Sequence, residues 1–233
     1  MSYSFYEVFT AAQRAFQGMG FPYGADEDAA FIIAWLELNN FQGITLLAKS
    51  INTLDKKYNG TIKVRNLNAQ IDFQNNSILM KGPGLVDFIK SKIHDKEKIS
   101  VKIINCKDGI LFLPLLYKIS KNLNSIKLTY FDSNNEIKNY QINNNEINID
   151  QKKTQNLISK NQISIVINKN SKDFKNFIKK EIISEKIIQK NLSRSLTPEM
   201  NAWEKISKIA DRTFVPESEE SRNKGAGGGD DND

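Results

Sequence analysis

SIKLTYFDSNNEIKNYQI, residues 125–142, has the form of a β-hairpin, with Asp132–Asn135 as its turn. A hairpin at the middle of the chain sets the fold class. Adjacent strands joined by a tight turn run antiparallel, so a sheet built around this stretch is not the parallel sheet of a βαβ repeat. Working outward, EINID (146–150) and QISIVINK (162–169) read as further strands on the C-terminal side. On the N-terminal side KISVKIINC (98–106), SILMK (77–81), AQIDF (69–73) and TIKVRNL (61–67) read the same way. KGPG (81–84) reads as a tight turn leading into a helix, and GILFLPLLYKISKN (109–122) is ambiguous because Pro114 interrupts it.

Both ends are helical in pattern. Residues 3–17 place Phe5, Val8, Phe9, Ala12 and Phe16 on one face. A second helix starts near Ala25, with Asp26, Glu27 and Asp28 in the first turn, where carboxylates suit the helix dipole. It is apolar nearly all round, which marks a buried or interface helix. Beyond Gly43, residues 44–58 read as a third. Near the C-terminus 172–191 reads as one helix, with Phe174, Phe177, Ile178, Ile182 and Ile183 to one side. TPEMNAWEKISKIADR (197–212) reads as another, capped by Thr197 with Pro198 in the first turn. The expected fold is α+β: a helical unit at 1–58, a basic region with a mostly antiparallel sheet at 59–196, and a C-terminal helix with a Gly/Asp-rich tail at 197–233, in one compact domain.

Composition narrows the chemistry. The 233 residues are 39% apolar and 26% charged, with mean hydropathy −0.47, as in a soluble globular protein. The longest apolar run, Ala29–Leu36, is too short to span a bilayer. MSYSFYEVFTAAQR has no basic stretch before an apolar one, so no signal peptide is expected and the location is expected to be cytoplasmic. A single cysteine, Cys106, excludes an internal disulfide and any multi-cysteine zinc site. The lone histidine, His94, lies among charges near a helix end and calls for no catalytic role. No metal site and no cofactor are proposed.

The chain is rich in Lys, Asn and Ile, as an AT-biased genome produces, and departures from that background are informative. No lysine occurs before Lys49, and glycines cluster at 18–43 and 225–229. Residues 1–48 and 197–233 each carry net −4, leaving +14 on 49–196. Scattered lysines without interleaved aromatics read as a solvated face, so nucleic-acid binding is not expected.

In the tail SRNKGAGGGDDND (221–233), Gly225-x-Gly227-x-Gly229 has no helix after it, which excludes a dinucleotide loop. The remaining candidates there are Ser221 and Arg222 for an anion, Gly225 and Gly227 for close backbone approach, and Asp231 and Asp233 as acidic groups.

Two resemblances carry weight. TFVPESEESRNKGAGGGDDND together with FPYGADEDAAFIIAWLE resembles an uncharacterised bacterial family of domains of unknown function, whose members finish in a similar Ser-Arg, Gly-Ala-Gly, Asp-Asn-Asp ending. The resemblance implies that the tail is a family feature. GMGFPYGADEDAAFIIAWLELNNFQGITLL (18–47) looks like the N-terminal helices of the malate/L-lactate dehydrogenase-like family, through Asp28-Ala29, Leu36 and Gly43. In that family Ser-His-Gly follows, and its histidine serves catalysis. Here Ile44, Thr45 and Leu46 follow Gly43, so that acid–base chemistry is not carried over.

Two functions fit. The first is a non-catalytic binding or accessory protein, self-associating or holding a protein partner through the apolar helix, with Phe31 and Trp35 at the contact. The second is an organic-acid enzyme or carrier whose site forms where the two chain ends meet. Its candidate groups are Glu37, Ser221, Arg222 and the terminal aspartates.

Overall fold

A computed structural model describes residues 1–64, 70–93, 96–121, 125–143, 146–150, 162–168 and 179–214. His94 and the tail candidates Ser221, Arg222, Gly225, Gly227, Asp231 and Asp233 lie outside the described residues.

The fold is α+β. Three helices come first: α1 (Phe5–Gly18), α2 (Ala25–Leu38) and α3 (Gly43–Leu54). Ser4 starts α1 through a capping box: its hydroxyl accepts from the Glu7 N–H at 3.2 Å, and the Glu7 carboxylate accepts from the Ser4 N–H at 2.7 Å. Helix α2 is the hub. It packs against α1, α3, α4 (Ile78–Lys92) and α5 (Phe112–Ser120), which is why its apolar residues go all the way round. Ala29, Ala30, Ile32, Ile33, Ala34 and Leu36 are fully buried. Asp26, also fully buried, accepts from the side-chain amides of Gln13 (3.2 Å) and Gln17 (2.7 Å) on α1.

Seven strands form one sheet: β1 (Gln70–Asp72), β2 (Lys98–Ile104), β3 (Ser125–Phe131), β4 (Ile137–Asn143), β5 (Glu146–Asp150), β6 (Gln162–Asn168) and β7 (Lys179–Ile183). Their order is β1-β2-β6-β3-β4-β5-β7, antiparallel throughout except for the parallel β1·β2 pair. The hairpin at 125–142 forms as read. The Asp132 carboxylate accepts from the N–H groups of Asn134 and Glu136, each at 2.9 Å, and closes the turn. Ile126, Leu128, Ile142, Ile147, Ile165 and Ile167 pair across the strands on one buried face, covered by α5.

Five readings are corrected. SILMK is the start of α4 and not a strand, because Ser77 caps it by accepting from the Leu79 N–H at 3.2 Å. KGPG is no turn but the second turn of that helix. Gly82 is needed there for packing, since a Cβ would lie 2.6 Å from Ile78 Cγ2 and 3.2 Å from Leu115 Cδ1. Residues 179–183 are a strand paired with β5. Ser184 then caps the short helix α6 (Glu185–Leu192), accepting from the Ile187 N–H at 3.4 Å. Helix α7 (Met200–Ala210) is capped by Glu199 and not Thr197. The Glu199 carboxylate takes the N–H groups of Asn201 (2.9 Å) and Ala202 (2.7 Å), satisfying two donors where a threonine satisfies one. Residues 61–64 carry no strand either, whereas 109–120 resolve into a 3-10 turn followed by α5, with Pro114 tolerated in the first turn.

The described parts of the two ends meet. Tyr3 and Leu196 exchange backbone hydrogen bonds at 2.8 and 2.7 Å, and the Tyr3 and Trp203 rings stack at 4.0 Å. No helix among the described residues is long and apolar enough to cross a membrane.

Candidate functional site

The α2–α3 corner is built under constraint. Asn40 (φ 62°) and Gln42 (φ 52°) both adopt the left-handed conformation, which non-glycine residues rarely take and which concentrates at functional sites. Gly43 follows because nothing larger fits. A Cβ there would lie 2.1 Å from the Ile33 carbonyl oxygen on α2. Gln42 offers no side-chain cap to α3, so the cap comes from another helix: Glu37, in the last turn of α2, accepts from the Ile44 N–H at 2.9 Å. Glu37 is half-buried. Burial raises its pKa, and the bond from Ile44 opposes the rise without cancelling it.

Opposite this corner run α6 and the loop to α7. Asn191 is buried and donates to the Asn39 side-chain oxygen at 3.5 Å, while Asn39 donates to the Trp35 carbonyl at 2.9 Å. The pair ties α6 to the end of α2. The next residues, Arg194–Thr197, are held by the Tyr3–Leu196 bridge. Between the two walls lies a cavity of about 320 Å³, lined by Glu37, Asn40, Gln42, Asn191, Arg194 and Thr197 among others. Arg194 is exposed, and its guanidinium has no ion-pair partner among the described residues. The cleft is thus lined by a cation unpaired among the described residues and by a carboxyl group of elevated pKa, together with amides and hydroxyls. A guanidinium binds a carboxylate in bidentate fashion, and a half-buried carboxyl exchanges hydrogen bonds with a hydroxyl.

Glu37 is therefore in the cleft. The sequence reading missed its partners. Arg194 had a visible signal, being one of five arginines among 33 basic residues. Asn40, Gln42 and Asn191 had none in a chain this rich in amides. The interface candidates lie elsewhere. Trp35 is 4% exposed and packs inside the chain, parallel to Phe41 at 6.4 Å and against Tyr117 at 5.5 Å. Phe31 is half-buried under the Lys118 ammonium, 5.3 Å from the ring centre. The exposed large apolar side chains include Tyr6, Tyr23 and Phe214, none of them on the apolar stretch of α2. No group of three or more acidic, histidine or cysteine residues that could hold a metal occurs among the described residues.

Comparison with known proteins agrees with this architecture. Residues 3–82 match a family described as "Protein of unknown function (DUF3726)". That span includes Glu37 and Gln42 but not Arg194. No curated protein sequence matches the chain. Among solved structures, sulfolactate dehydrogenase from Methanocaldococcus jannaschii superposes with a TM-score of 0.60 at 9% identity, covering 91% of this chain and 97% of that one. A dehydrogenase from Sinorhizobium meliloti gives 0.56 at 9% identity, covering 90% and 99%. Malate dehydrogenase from Pyrococcus horikoshii OT3 gives 0.48 at 13% identity over 60% of this chain, which spans 46% of that protein. The first two likenesses show a shared fold, in line with the resemblance carried by residues 18–47.

Proposed function

We propose that this protein binds a small organic acid in the cleft between the α2–α3 corner and residues 191–197. Arg194 takes the ligand carboxylate and Glu37 hydrogen-bonds a neighbouring hydroxyl. The observation that carries the reading is the guanidinium of Arg194, unpaired among the described residues, sharing one cavity with the half-buried Glu37. The fold adds support, since one structure superposing over nine-tenths of the chain is a dehydrogenase of sulfolactate, an organic acid. Binding is proposed without hydride transfer, because Ile44, Thr45 and Leu46 stand where the resembling family has its catalytic motif. A non-catalytic binding role is thereby kept, and its surface moves from the apolar helix to the cleft. Calorimetric titration with malate, lactate and sulfolactate tests it. Arg194→Ala is expected to weaken the best-bound acid by at least roughly tenfold, the loss of one charge-assisted contact. Equal binding by this variant, or no saturable binding of any of the three acids, overturns the reading.

A further inference from the structure

A second cavity, of about 450 Å³, shares no lining residue with the acid cleft and lies between α3, the loop after β2 and the β3–β4 turn. Leu46, Ile110 and Phe131 give it apolar walls beside the buried ring of Tyr130. Its shape is enforced locally. Gly109 lies flat on Tyr130, where a Cβ would come within 2.4 Å of the ring. Asp108 (φ 60°) and Asn135 (φ 58°) hold left-handed conformations at the two lips. Two carboxylates border the space. Asp132 is fully employed, by two backbone N–H groups and by Lys138 at 3.2 Å. Asp108 makes no ion pair and no side-chain hydrogen bond among the described residues. Lys107, which also lines the cavity, and Lys49 act on it through space, and both are exposed. Asp108 is itself exposed, yet the protein around its carboxyl raises its pKa in spite of those two lysines.

We infer that this cavity is a binding site for a small organic amine with an apolar body, its ammonium held by the Asp108 carboxylate and its body lying against Leu46, Ile110 and Phe131. Size, apolar walls and a carboxylate at the rim with no partner among the described residues suit a ligand of that form. The charge of Asp132 is taken up by Lys138, and Lys107 also lines the cavity, so the preference for an ammonium over an anion rests on Asp108.

The test is calorimetric titration of the full chain with phenethylamine and, separately, with phenylacetate, which has a similar body and the opposite charge. Saturable binding of the amine, with phenylacetate giving only heat of dilution, is expected. Asp108→Asn is expected to weaken the amine by roughly tenfold or more, and asparagine accepts the left-handed backbone that position requires. Arg194→Ala, in the acid cleft, is expected to leave amine binding unchanged. The inference fails if phenylacetate binds as tightly as the amine, if the amine shows no saturable binding, or if folded Asp108→Asn binds it with unaltered affinity. Should that variant not fold, the contrast between amine and acid on the unaltered protein decides alone.

Discussion

The carboxylate of Glu37, at the end of α2, accepts the Ile44 N–H at 2.9 Å and so caps a helix it does not belong to. The bond ties the start of α3 to the end of α2 and holds a carboxyl group of raised pKa at the cleft wall. Replacing Glu37 separates the two roles. Glu37→Gln keeps an acceptor for Ile44, whereas Glu37→Ala removes it. The glutamine variant is expected to be more stable than the alanine variant by about 1 kcal/mol near neutral pH, read from urea midpoints. Equal stabilities would mean that the bond does not cap α3.

Stability should also depend on pH through this group. Burial raises the folded-state pKa of Glu37 above the ordinary value of 4.5. The folded state therefore holds the proton more tightly than the unfolded chain. Its stabilising contribution is complete below the unfolded pKa and is lost as pH rises through the folded one. Relative to Glu37→Gln, the unaltered protein is expected to lose stability as pH rises from the ordinary value of 4.5 through the raised folded-state value. A stability difference that stays flat or grows with pH would contradict the assignment of burial as the dominant cause.

Two glycines should respond oppositely to alanine. Gly43→Ala forces a methyl into the Ile33 backbone carbonyl, which cannot rotate away, and is expected to cost about 2 kcal/mol. Gly84, exposed on α4, would place its Cβ 3.5 Å from Ile62 Cδ1, an ordinary contact. Alanine there is expected to stabilise by up to about 1 kcal/mol through helix propensity. Thermal melts of the two variants check both signs.

The tail candidates Ser221, Arg222, Gly225, Gly227, Asp231 and Asp233 compete with Arg194 as the acid-binding element. Deleting residues 223–233, or replacing Arg222 with alanine, is expected to leave the affinity for the acid within about twofold, well inside the effect of losing a charge-assisted contact. A loss as large as that of Arg194→Ala would return the site to the tail.

Much of this fold was legible because the signals were local. Asp132 closes its turn through its own neighbours, and α2 advertises its central position by having almost no polar face. The misreadings share a physical cause. SILMK and 179–183 are too short for their period to separate helix from strand; the Ser77 cap decided the first, and pairing with the distant β5 the second. The cleft was half legible. Glu37 stood in a lysine-free region. Arg194 became its neighbour through the Tyr3–Leu196 bridge and the Asn39–Asn191 contact, pairings across more than 150 residues that no local pattern encodes.

The central claim is that an organic acid sits between Arg194 and Glu37. An amide NMR titration of the isotopically labelled full chain with malate tests it most directly. Saturable shifts concentrated at Asn40–Ile44 and Asn191–Thr197, and absent in Arg194→Ala, are predicted. Shifts centred elsewhere, or surviving unchanged in that variant, would contradict it.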